Sequence, residues 1–189
     1  MHHPNDPGSP PQGEPAHVAG LQPHAATRRG WRPAFVALGS NLGEPARTLE
    51  RCATALDGLL PGVRVAARSR LWQTAPLGPP GQPWYANMVV RLECAPEVTA
   101  RALFAALMGL EARLGRNRVM ERRWGPRILD VDLLLFGSER SGDPAMTLPH
   151  PRMWERAFVL LPLREVAPEL VPDERLEGLS FSQSGTIIF

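Results

Sequence analysis

The 189-residue chain contains no lysine; arginine supplies all 21 of its basic residues. That absence excludes a P-loop, whose lysine reaches the β- and γ-phosphates, and the protein-kinase arrangement with its strand lysine. It also excludes Schiff-base chemistry on lysine. Cysteine is almost missing: Cys52 and Cys94 stand alone at no metal-ligand spacing, so neither a disulfide framework nor a zinc site is expected. No apolar run approaches the roughly 18 to 20 residues of a transmembrane helix, and the N-terminus lacks the basic start and apolar stretch of a signal peptide. A cytoplasmic protein that does not use a membrane is therefore expected. The formal net charge of +2 is too small to point to nucleic acid. What remains is 43% hydrophobic, enough for one domain with a real core and too short for two full-sized ones.

Residues 1–32 differ from the rest. They hold six prolines, four glycines and four of the five histidines, with almost no large apolar residue. Such a segment buries too little surface to offset its ordering entropy, and a disordered Pro-rich tail is expected, followed by a single domain over 33–189. Ala34–Leu38 reads as a buried strand stopped by Gly39-Ser40-Asn41-Leu42-Gly43. Glu44 and Pro45 open a helix with Leu49, Cys52, Ala53, Leu56 and Leu60 on one face, ended by Pro61-Gly62. Val63–Leu71 alternates as a strand, and Thr74–Pro83 is a stiff Pro-rich loop. Tyr85–Glu93 is the next strand, with Asn87, Val89 and Arg91 on one face and Met88, Val90 and Leu92 on the other. A second helix follows Pro96, striped by Leu103, Leu107, Leu110 and Leu114 and closed by Gly115. Arg116–Arg127 is a basic loop and Ile128–Phe136 a strand. The order βαββαβ predicts an α+β, ferredoxin-like sandwich, with an added C-terminal helical segment around Ala157–Leu163.

Three stretches carry chemistry. On the strand Ile128–Phe136, Asp130 and Asp132 share a face about 7 Å apart, with Leu129, Val131, Leu133 and Leu135 on the other. Such hard oxygen ligands suit Mg²⁺, which takes one or two carboxylates and completes its shell with water and substrate phosphate; alone, the pair reads more readily as an exposed face whose acids pair with arginines. Directly before them lie five arginines in the thirteen residues 115–127. Guanidinium forks match phosphate oxygens, so acids beside arginines form the electrostatic half of a phosphoryl-transfer site; a basic loop on solvent or on RNA is the plainer alternative. The Pro-stiffened stretch from Thr74 to Asn87 could present fixed backbone groups and an amide to the edge of a flat heterocycle, with Tyr85 or Phe158 stacking on its face. His150, held between Pro149 and Pro151 near Arg152 and Arg156, is a candidate phosphate or metal-shell contact. Glu111 and the turn 39–43 are further candidates.

These stretches coincide with a known pattern. From Ala34 to Leu170 the chain resembles the 6-hydroxymethyl-7,8-dihydropterin pyrophosphokinases of folate biosynthesis. The resemblance rests on Ala37-Leu38-Gly39-Ser40-Asn41-Leu42-Gly43, Thr74-Ala75-Pro76-Leu77-Gly78, Arg123-Trp124-Gly125-Pro126-Arg127-Ile128-Leu129-Asp130-Val131-Asp132, and Pro149-His150-Pro151-Arg152-Met153 with Arg156 and Phe158. Four markers in the right order and at the right separations are specific. The resemblance implies transfer of the β,γ-diphosphate of ATP to the pterin hydroxymethyl group, releasing AMP. It implies that Asp130 and Asp132 hold two Mg²⁺ ions, and that Arg116 and Arg118, with Arg127, act catalytically on the phosphates. It further implies that Arg127, His150, Arg156, Trp124 and Glu111 serve ATP. Thr74, Pro76, Leu77 and Asn87 would read the pterin edge, with Tyr85 and Phe158 on its faces. ATP and the pterin are the partners implied, with no nucleic acid and no membrane, and a monomer is expected.

The chain departs from the pattern at a few points. The loop from Gly115 to Trp124 is one residue longer than in familiar members. Met120 and Glu121 stand where some members place lysine, and Ala145 where a basic residue often precedes the histidine. Two rival classes use the same residues. A ferredoxin-like nucleic-acid binder would display sheet aromatics for base stacking, and aromatics are only 6% here. A metal-dependent nuclease or phosphatase would need further carboxylate or histidine ligands, and His150 is the one histidine of the folded region.

Overall fold

In the computed structural model, which describes residues 29–76, 81–117, 125–177, 179 and the backbone of 186–188, the apolar run at 34–38 forms the middle of β1 (Arg32–Ser40). The strand begins at Arg32, inside the stretch expected to be tail, and Trp31 already packs against the core. Residues 1–28 of that tail lie outside the described residues. Helix α1 (Pro45–Ala55) follows with proline in its first turn. It is shorter than the periodicity predicts. Gly58 takes a left-handed φ of 70° and its N–H reaches the carbonyl of Val63, so the chain turns before Leu60, which packs on the core from a turn.

The strand expected over 63–71 is two strands, β2 (Val63–Arg68) and β3 (Leu71–Thr74). The break falls at Ser69, whose hydroxyl accepts from Val89 N–H at 3.0 Å and donates to the Arg70 carbonyl at 2.9 Å. A side chain thus takes over a ladder bond and the backbone steps aside. β4 (Tyr85–Cys94) and α2 (Ala100–Arg113) come next. α2 is capped by Thr99, which accepts from Ala102 N–H at 3.1 Å, and ends before Gly115 at φ 100°. β5 (Asp130–Phe136) completes the main sheet. A hairpin that hydrophobic patterning did not mark, β6 (Ser141–Asp143) with β7 (Met146–Leu148), leads to α3 (Ala157–Val166), the short α4 (Asp173–Leu176) and β8 (Thr186–Ile188).

Helices and an antiparallel sheet thus make up a mixed fold. The sheet runs β5-β1-β4-β3-β8, with β2 also paired to β4. Alternation along the strands builds two cores. Ala34, Val36 and Leu38 of β1, Met88, Val90 and Leu92 of β4, and Val131 and Leu133 of β5 meet Leu49, Cys52 and Leu56 of α1 and Leu103, Leu107 and Leu110 of α2. Phe35, Val89, Leu134 and Leu135 face the other way and meet Val159, Leu160 and Leu163 of α3. Leu135 was expected with Leu133. A bulge moves it: Phe35 pairs with Leu135 but Val36 with Leu133, so Leu134 is an extra residue and the strand changes face there. Among the described residues no helix is long and apolar enough to cross a membrane.

Candidate active site

Residues directly opposite on neighbouring strands share a face. Gly39 of β1 stands opposite Asn87 of β4 and Asp130 of β5, and Ala37 stands opposite Val89 and Asp132. Two rows, Asp130–Gly39–Asn87 and Asp132–Ala37–Val89, therefore cross the face on which α3 packs. Among the described residues the helix covers the end of that face beyond Val89 and leaves the rest open. Over the open part lies a cleft lined by Ala37, Gly39, Thr74, Tyr85, Asn87, Arg127, Asp130, Asp132, Arg156 and Phe158, among others. Acids thus occupy one wall, amide, hydroxyl and ring the other, with the two smallest side chains on the strand between them.

Asp130 is held by two guanidiniums. Its Oδ1 accepts from Arg116 Nη1 and its Oδ2 from Arg127 Nη1 at 2.8 Å. Burial opposes its charge, but Arg116 first and Arg127 second hold the carboxyl below the usual carboxylate range. Behind the sheet, Glu111 of α2 is buried. Its Oε1 accepts from Val131 N–H at 2.9 Å and from Arg116 Nη1. Arg116 is consequently only 7% exposed, set between two carboxylates, and its guanidinium is pushed further toward the charged form despite its burial.

Asp132 differs. Burial and then the charge of Asp130 push its carboxyl up to about 7, against the pull of Arg156. His150 stands beside it, Nε2 to Oδ2 4.0 Å. Burial, with Arg156 and Arg152 alongside, pushes His150 down to about 4. The imidazole is therefore neutral at neutral pH and makes no ion pair with Asp132. It is fixed through its backbone N–H to the Leu134 carbonyl at 2.9 Å, and among the described residues its Nδ1 is buried without a hydrogen-bond partner. Arg156 lies over the Phe158 ring, 5.4 Å from its centroid.

One side chain joins the two walls. Asn41, buried just after β1, accepts from Arg127 N–H at 2.8 Å through Oδ1 and donates to the Pro83 carbonyl at 3.2 Å through Nδ2. Its own N–H reaches the Arg127 carbonyl at 3.1 Å. The segment before β5 and the proline-rich loop before β4 are thereby tied to one amide. Tyr85 adds a second tie, its hydroxyl donating to the Gly125 carbonyl at 3.3 Å. On the far wall Asn87 Nδ2 donates to Thr74 Oγ1 at 2.7 Å, which fixes the amide's orientation.

Of the residues singled out in the sequence, Thr74, Tyr85, Asn87, Arg127, Asp130, Asp132, Arg156 and Phe158 line the cleft together. Arg116 and Glu111, expected at the nucleotide, form the buried bracket behind Asp130. Pro76 is half-buried beside Thr74, and His150 stands behind Asp132. Leu77, Arg118 and Trp124 lie outside the described residues. Sequence reading left Asn41 as part of a turn and Ala37 as part of a strand; a buried asparagine between a strand and a glycine turn was the available signal.

The donor set suits a hard cation. Asp132 has no guanidinium within ion-pairing distance among the described residues, and its charge is disfavoured by burial and by Asp130 two residues away. No group of three or more histidine, cysteine or carboxylate side chains gathers among the described residues. Two carboxylates are what Mg²⁺ takes from a protein when substrate phosphates and water fill its remaining positions.

The family described as 7,8-dihydro-6-hydroxymethylpterin-pyrophosphokinase (HPPK) matches residues 35–168. The chain is 43% identical over 138 residues to the 2-amino-4-hydroxy-6-hydroxymethyldihydropteridine pyrophosphokinase of Methylorubrum extorquens, covering 73% of this chain and 84% of that one. It is 43% identical over 142 residues to the protein of the same name in Pseudomonas aeruginosa, covering 75% and 85%. For Haemophilus influenzae the figures are 39% over 138 residues, 73% and 83%. A crystal structure described as HPPK-DHPS in complex with substrates superposes with a TM-score of 0.49 at 12% identity, over 77% of this chain and 42% of that chain.

Proposed function

The chain belongs to the 7,8-dihydro-6-hydroxymethylpterin-pyrophosphokinase family, and from that premise we propose that the cleft over β1 is where its reaction takes place, with the roles assigned below. The protein is a pyrophosphokinase of folate biosynthesis: it transfers the diphosphate of ATP to the hydroxymethyl group of 6-hydroxymethyl-7,8-dihydropterin, leaving AMP. The observation that carries the assignment of the site is the row Asp130–Gly39–Asn87, which sets a carboxylate wall and a ring-reading wall on either side of one strand.

Asp130 and Asp132 are the residues that would hold magnesium, two ions in our reading. Bound there, the metal supplies positive charge for the phosphate oxygens and lowers the pKa of the acceptor hydroxyl. Arg116 and Arg127 orient Asp130, each donating to one of its oxygens; a carboxylate oxygen has a second lone pair for another partner. Arg127 and Arg156 line the cleft, and with Arg118 they meet the polyphosphate, where guanidiniums stabilise charge moving toward the leaving AMP. His150, neutral and fixed behind Asp132, donates or accepts a hydrogen bond rather than contributing charge. Asn87 and Thr74 read the ring edge, and Tyr85 and Phe158 enclose its faces. Asn41 keeps the two walls in register, so the hydroxyl and the phosphorus meet in line; such positioning supplies much of the barrier reduction in a reaction needing no strong protein base. Trp124 and Leu77 keep the contacts the resemblance implies, and Glu111 acts through Arg116.

The fold reading goes with it. β5-β1-β4, with β2 and β3 both on β4, supports a ferredoxin-like βαββαβ arrangement extended by α3. We also read the protein as a monomeric, cytoplasmic enzyme. The test is direct: incubation with ATP, Mg²⁺ and the reduced hydroxymethylpterin yields AMP and the pterin diphosphate in equal amounts. Release of ADP or inorganic phosphate in their place would reject the reaction.

A further inference from the structure

Gly39 lies inside a strand paired on both sides, where glycine weakens the sheet and is unexplained unless something approaches closely. Its φ is not left-handed, so the backbone does not require glycine. Packing does not require it either. Among the described residues a Cβ built there would meet Asn87 Oδ1 at 3.4 Å and Asp130 Cβ at 3.9 Å, both ordinary contact distances. The fold would accept alanine, and what alanine would occupy is the gap in the row between the two walls of the cleft.

Asn87 makes that gap specific. Its Nδ2 is held by Thr74 Oγ1 at 2.7 Å, which leaves Oδ1 on the Gly39 side as an acceptor for a ring N–H. An acceptor whose heterocyclic edge is read at Asn87 and whose hydroxymethyl group reaches the acids must cross the strand at Gly39. From this we infer that Gly39 is a specificity-determining residue: its missing side chain is the floor that admits the flat acceptor ring, and it has no part in holding ATP or the fold. The inference rests on the reading of the cleft given above. A methyl at this position covers Asn87 Oδ1 and lifts the ring from the sheet, while Arg127 and Arg156 keep their access to phosphate.

The test is Gly39→Ala, compared with the unaltered protein in three measurements: equilibrium binding of 6-hydroxymethyl-7,8-dihydropterin, equilibrium binding of a non-hydrolysable ATP analogue with Mg²⁺, and the melting temperature. Pterin affinity is expected to fall by about tenfold to a hundredfold, the range for one misplaced methyl in a tight pocket, with analogue affinity and melting temperature unchanged. Pterin affinity within about twofold of the unaltered protein, or an equal loss for both ligands, would overturn the inference. So would a lowered melting temperature, because the glycine would then serve the fold. If the unaltered protein itself neither binds the pterin nor forms AMP, the reading of the cleft fails first, and that arm of the experiment identifies the failure as such.

Discussion

Replacing Arg116 by methionine separates two roles for that residue. Methionine keeps the apolar stem and removes the charge that Arg116 sets against Glu111, 2% exposed. Removing one partner of a buried ion pair typically costs about 3–5 kcal/mol. Glu111 retains the Val131 N–H at 2.9 Å, which offsets about 1 kcal/mol, so a net loss of about 2–4 kcal/mol is expected. For a domain of this size each kcal/mol moves the melting temperature by about 2–4 °C, and the variant should melt about 5–15 °C below the parent protein. Circular dichroism during heating reads this directly. Adding Glu111→Gln should recover most of the loss, because glutamine still accepts from Val131 and carries no charge; turnover should stay low, since Asp130 has lost a guanidinium. A single variant that melts within about a degree of the parent, with a raised KM for ATP alone, would refute the buried bracket and return Arg116 to the phosphates.

Two further outcomes follow from the same geometry. In metal-free buffer Asp132→Asn should melt above the parent, by an amount equivalent to about 1 kcal/mol, because one of two like charges leaves the cleft; it should also lose turnover, and a lower melting temperature would count against the electrostatic account. Asn41→Ala should destabilise by about 1–3 kcal/mol, since an amide N–H and a carbonyl lose their partner. In steady-state kinetics it should raise KM for ATP and pterin together, and an effect confined to one substrate would rule out its bridging role.

The parts of the molecule that were legible in the chain are those governed by local periodicity. Period-two alternation placed Asp130 and Asp132 on one face and Met88, Val90 and Leu92 on another, and period 3.6 placed Leu103, Leu107 and Leu110 under the sheet. Departures arose where a distant partner decides. Ser69 breaks a strand because Val89, twenty residues on, needs its hydroxyl. Leu135 changes face because β5 carries one residue more than β1 can match. Arg116 turns inward because Glu111, at the end of α2, is brought toward it across the turn at Gly115. Asn41 ties segments 86 and 42 residues away, a relation that no spacing in the chain expresses.

The helix α3 covers only one end of its side of the sheet, whereas α1 and α2 cover the opposite side. Among the described residues the polypeptide therefore finishes one layer and leaves the other short over Ala37 and Gly39. On the site proposed above, reactants would complete the architecture as well as being transformed by it, and each departure of product would uncover the strands again for water.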